Sequence, residues 1–161
     1  MLTRGQIPDY NPWIPINSPQ ADAEGYAFLR ELVAARSSFA RSFIVDGAML
    51  PPVAVDSPPI QVRWRLTSGE TGEAPFPAIQ HSAWRAADGT VGIVMTNISN
   101  AAARAQVSVR LQALGLSSAG KYTVRIVSGA QSTTIAADVA SDSSYTVEVP
   151  SLKVIVVTIS R

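Results

Sequence analysis

At Pro51-Pro52 the hydrophobic period of the chain changes, and that change limits the folds open to it. Before the prolines, apolar residues recur at helical spacing. Tyr26, Leu29, Val33, Phe39 and Phe43, with Phe28 and Leu32 beside them, trace a broad stripe, the pattern of a helix with one buried side. Ser18 suits the N-cap and Pro19 the first helical position, where a missing N–H costs nothing. Asp22 and Glu24 follow where acids complement the helix dipole. The pattern predicts one long helix from about Pro19 to Val45. Gly47 in a left-handed conformation stops it, and the prolines prevent its continuation.

Beyond residue 52 the period is two. "PIQVRWRL" alternates Ile60, Val62, Trp64 and Leu66 with Gln61, Arg63 and Arg65, as a half-buried strand does. "AIQHSAWRAADGTVGIVMTN", "AQVSVRLQAL", "KYTVRIVSG", "SSYTVEV" and "SLKVIVVTISR" follow, separated by Gly, Asp, Asn, Ser and Pro turn residues. The predicted fold is mainly β: an antiparallel β-sandwich of about seven or eight strands, preceded by one long N-terminal α-helix. Residues 1–50 form a Pro-rich lead-in and the amphipathic helix, and residues 51–161 form the sandwich domain. In the lead-in, Tyr10 and Trp13 either pack on the domain or form a platform for sugar stacking.

Asp88-Gly89 fixes the register expected of the central hairpin. A two-residue type I′ turn there pairs Ala87 with Thr90, Trp84 with Ile93 and His81 with Thr96. Trp84, Ile93 and Met95 then share one face, and Ile79, His81, Ala83 and Val94 the other. Both faces are apolar, so the ribbon is central and covered on each side. Trp84 is expected to be buried. His81 reads as a satisfied core or interface histidine, since no acid or nucleophile lies near it in sequence to make it a catalyst.

Chemistry leaves few marks. No cysteine is present, which removes disulfides, thiolate nucleophiles and cysteine metal sites. With one histidine and scattered acids, neither a metal nor a cofactor is expected. The net charge of +1 comes without a basic block, and the chain carries no apolar run approaching the ~20 residues that cross a bilayer, so neither nucleic acid nor membrane is expected as a partner. The start of the chain does not read as a signal peptide, giving the expectation of a soluble, cytoplasmic protein. "SGETGEAPFP" lacks the lysine and helix of a phosphate loop. Glu70 and Glu73 within it, with Asp88, are the candidates for a carboxylate pair of the kind that cleaves a glycosidic bond. "NIS" at Asn97 is a formal glycosylation acceptor.

"RGQIP" from Arg4, the helix ending "FIVDGAMLPPV", "FPAIQHSAWRAADGTVGIVMTNIS" and "YTVEVPSLKVIVVTIS" occur in that order. Together they resemble the C-terminal part of large bacterial glycoside-hydrolase-like proteins, a family of largely unknown function built on a TIM barrel. The resemblance spans nearly the whole chain, and "SAWRAADGTVGIVMTN" is its most specific part. It implies a last barrel helix leading into a C-terminal β-sandwich. The barrel loops that would carry catalytic residues are then missing. On this reading the chain is an accessory module, stabilising or carbohydrate-associated, and not catalytic alone. Its partners are a carbohydrate and either the missing barrel or a second copy docked through the helix. Two other readings stay open: a compact glycosidase using acids such as Glu70, Glu73 or Asp88, and a stand-alone carbohydrate-binding module stacking sugars on Tyr10, Trp13, Trp64 or Trp84.

Overall fold

The computed structural model describes residues 23–65 and 68–161. Among the described residues two helices, α1 (Ala23–Ser37) and α2 (Arg41–Ile44), precede eleven strands. The strands are β1 (Ala48–Met49), β2 (Ala54–Asp56), β3 (Pro59–Arg65), β4 (Thr71–Pro77), β5 (Ile79–Arg85), β6 (Val91–Asn97), β7 (Ala103–Val109), β8 (Tyr122–Ser128), β9 (Gln131–Val139), β10 (Ser143–Val149) and β11 (Val154–Ser160). A six-stranded sheet runs β1-β5-β6-β11-β8-β9, a three-stranded sheet runs β10-β7-β2, and β3-β4 pair as a separate hairpin. Every pairing is antiparallel. The chain is therefore mainly β, an antiparallel sandwich preceded by helix.

The helical region differs from the single helix its periodicity predicts. Around residues 38–40 the chain leaves the helix and then re-enters it. The Ser37 hydroxyl donates to the carbonyls of Val33 and Ala34, and that of Ser38 donates to Ala34 at 2.6 Å. Adjacent serines that bond back to the preceding turn compete with the backbone ladder and bend a helix. Ser18, Pro19 and Asp22, assigned to its start, lie outside the described residues. Gly47 corrects a second expectation, because its φ is not positive; among the described glycines only Gly69, Gly89, Gly115 and Gly129 are left-handed. What position 47 requires is smallness. A Cβ there would meet the Phe43 carbonyl oxygen at 2.3 Å and that of Arg85 at 2.8 Å.

The six-stranded sheet is covered on both faces. One face meets the smaller sheet, where Ile79, Ala83, Ile93, Met95, Ile155 and Val157 pack with Val107 and Val147. The other carries the helices: Leu32, Ala35, Ala40, Phe43 and Ile44 pack on Trp84, Val94, Val154 and Val156. All seven residues of β6 are consequently buried, as are Val154 to Val157 of β11. Continuous apolar runs are what two covered faces demand. Lys153 reinforces the docking at the rim, its Nζ 2.9 Å from the Glu31 carboxylate on α1.

The central hairpin is covered on each side as its sequence implies, but its register is shifted by one. The Ala86 N–H donates to the Thr90 carbonyl at 2.9 Å and the Gly89 N–H to that of Ala86 at 3.0 Å. Gly89 has φ of 84°. The turn is thus a three-residue loop with its last residue left-handed, not a two-residue turn. Trp84 stands opposite Gly92 rather than Ile93, and His81 opposite Met95 rather than Thr96. A shift of one exchanges the faces. Trp84 is buried, at 7% exposure, but on the helix side with Val94, away from Ile93 and Met95.

Candidate functional site

His81 occupies the inner face as a structural residue. Its ring Nε2 lies 2.8 Å from the Val53 carbonyl oxygen, so it donates there and ties β5 to the segment leading into β2. Asn97, at the end of β6, is fully buried. Its Nδ2 donates to the carbonyls of Ala101 and Val149 at 2.8 and 2.9 Å. Its Oδ1 accepts from the Ser99 N–H and hydroxyl. With every amide valence engaged inside the fold, Asn97 is a clamp between two turns and is inaccessible as a glycosylation acceptor in the folded chain.

The three candidate acids are exposed and lie on two different hairpins. Glu70 lies in the turn before β4, exposed. Glu73, on β4, stands opposite Arg63 and accepts from its Nε at 2.9 Å. Asp88 is in the β5–β6 turn, where its Oδ1 accepts from the Thr90 N–H at 2.9 Å. That backbone hydrogen bond, helped by the Thr90 hydroxyl, holds its carboxyl below the usual 3.8. A general acid needs the opposite shift.

Of the aromatic candidates, Tyr10 and Trp13 lie outside the described residues. Trp64 is paired with Gly72 on the β3-β4 hairpin, and its side chain is likewise outside them. Trp84 offers no stacking platform. It is buried under the helices, with its indole N–H donating to the Ser82 hydroxyl at 2.7 Å.

Clefts open at several places on the described residues. One of about 380 Å³ runs over the smaller sheet past Asp56, Arg104, Gln106 and Thr146. Another, of about 240 Å³, lies beside Pro51, Pro52, Arg110 and Leu114. The third, of about 370 Å³, sits at the end of the sandwich between the β5–β6 turn, the loop before β8 and the end of β11. Asp88, Arg85, Tyr122 and Arg161 line it; Glu70 and Glu73 line none of the three. Arg85 and Arg161 were missed by sequence reasoning. Arg85 shares the inward face of β5 with Ile79, His81 and Ala83, a position that strand alternation alone marks.

Among the described residues, no group of three or more His, Asp or Glu could hold a metal ion. Nor is any helix among them long and apolar enough to cross a membrane.

These features define a helix-backed antiparallel β-sandwich with an arginine-lined cleft at one end. No family model matches the chain, and no curated protein does. Among solved structures it is similar to a GH51 arabinofuranosidase from Xanthomonas axonopodis pv. citri, at 20% identity and a TM-score of 0.36. The likeness covers 82% of this chain and 26% of that one, so the chain spans about a quarter of that enzyme's length.

Proposed function

We propose that the chain is the C-terminal sandwich module of a glycoside-hydrolase-like protein, with residues 1–50 as its barrel-side lead-in and helix and 51–161 as the sandwich. Its work is to support the larger protein and to sit beside its carbohydrate, without turning over substrate alone. The observation that carries this reading is the seating of α1 and α2 across β5, β6 and β11. This is the helix-into-sandwich order that the sequence resemblance calls for. The helical segment and β1 still present apolar groups to solvent: Val33, Val45 and Met49 are 48%, 44% and 59% exposed. Such surface suits a neighbouring domain. The candidate acids fit the non-catalytic part, since Glu70, Glu73 and Asp88 are exposed and Asp88 is held ionised. A glycosidase needs its two carboxylates across one bond, about 5–10 Å apart.

Assay of the purified chain on aryl glycosides and polysaccharides tests the reading. No turnover above buffer is expected. Turnover that disappears in Glu70→Gln or Glu73→Gln, with the fold intact, would overturn it in favour of a compact hydrolase.

A further inference from the structure

The cleft at the end of the sandwich holds two guanidinium groups, and neither has a carboxylate partner among the described residues. Arg85 is half-buried. One of its terminal nitrogens donates to the Leu114 carbonyl, while its buried Nε has no protein partner. Such unpaired buried donors are rare because each forfeits its hydration. The loop is shaped around this side chain: Gly115 has φ of 64°, and a Cβ on it would come 2.5 Å from the Arg85 Nη2.

Arg161 reaches the same cleft from the end of β11. Its guanidinium carbon lies 5.9 Å from the centre of the Tyr122 ring. Asp88 is the single acid in the lining, and one of its oxygens is engaged by Thr90. Two guanidinium groups therefore face one acidic side chain in the lining. Its floor is partly apolar, from Leu116 and Ile159. The Tyr122 hydroxyl donates to the Ser117 carbonyl at 3.1 Å, which leaves the phenolic oxygen able to accept.

We propose that this cleft binds a small molecule that carries one oxyanion, a carboxylate or a phosphate, on a hydroxylated body. The guanidinium of Arg161 and the terminal nitrogen of Arg85 not held by Leu114 take the oxyanion, for which their permanent charge is suited. The free Asp88 oxygen and the Tyr122 oxygen accept from hydroxyls on the body. At about 370 Å³ the cleft falls at the small end of the range for small-molecule sites. The proposal is independent of whether the chain belongs to a larger glycosidase-like protein.

Titration of the isotope-labelled chain with glucuronate, glucose 6-phosphate and glucose, each to about 20 mM, reaches dissociation constants in the millimolar range. The amides of Gly89 and Gly115 are the reporters. Saturable shifts are expected with at least one acidic sugar and not with glucose. The acid that binds names the oxyanion. Arg161→Gln, a change at an exposed side chain, should weaken the affinity about tenfold or more, as loss of a charge-assisted contact does. Arg85→Lys, which keeps the charge but not the planar group that spans the Leu114 carbonyl and the cleft, should also weaken it, its spectrum reporting that the fold survives. No saturable shift with either acid, an equal response to glucose, or unchanged affinity in Arg161→Gln would each overturn the proposal.

Discussion

The ring of Phe43 occupies the space that a Cβ on Gly92 would need: the built atom would lie 2.5 Å from Phe43 Cδ1 and 2.6 Å from Cε1. Gly92 is the cross-strand partner of Trp84. The missing side chain on β6 is thus the socket for α2, with the indole as its wall. Gly92→Ala should destabilise the fold by about 1–3 kcal/mol, the usual cost of overpacking. The penalty should shrink when Phe43 is also cut to Ala, since the two residues compete for one volume. Denaturant titration of both single mutants and the double mutant checks this. An additive pair would place Phe43 elsewhere.

Trp84 fills the same interface. Truncation to Ala should cost about 3–5 kcal/mol, as for other buried aromatics. Ser82→Ala should cost about 1–3 kcal/mol by stranding the buried indole N–H. Thermal melts of the two variants measure this directly; a Trp84→Ala protein as stable as the parent would contradict the burial.

Asn97 joins the β6–β7 turn to the β10–β11 turn through Ala101 and Val149. Asn97→Ala should lose about 1–3 kcal/mol, because the Val149 carbonyl loses a buried donor and the Ser99 N–H loses its acceptor. Asn97→Asp should also be destabilising, since it replaces an amide donor with an acceptor facing those two carbonyls. Urea midpoints test both changes, and a neutral Asn97→Ala would show that the clamp is dispensable.

For Asp88 the sign follows from the Thr90 N–H. Its carboxyl is held below 3.8 in the folded chain, so the folded state binds the proton less well than the unfolded state. The group's stabilising contribution is full above the unfolded value and is lost as pH falls through the folded one. Asp88→Asn keeps an acceptor for Thr90 but cannot titrate. The stability gap between parent and variant should therefore narrow as pH drops below about 4. A gap that stays constant between neutral pH and pH 3 would contradict the linkage.

Much of the architecture is legible in the sequence because periodicity records burial. The change of period at Pro51-Pro52 falls just after the change from helix to strand, since β1 (Ala48–Met49) already pairs with β5, and the apolar runs of β6 and β11 mark strands covered on two faces. The extra strands carry weaker signals. β4 holds two prolines and a glycine, and β9 is a largely exposed edge strand, so neither alternates strongly. The hairpin register turned on one residue of turn chemistry, because Asp-Gly fits both a two-residue and a three-residue loop. That single step moved Trp84 to the other face. The arginine-lined cleft was less legible still. It is assembled from the β5–β6 turn, a loop some thirty residues later and the last strand, and only the fold brings these together.

Native-state hydrogen exchange tests most directly whether the helices belong to the sandwich. The amides of Leu32, Ala35 and Ile44 lie in the layer packed on Trp84 and Val94. They should open with free energies approaching those of β6, as members of one cooperative unit do. Exchange of these amides at loop-like rates, while β6 stays protected, would show the helices to be an undocked appendage and remove the observation on which the module reading rests.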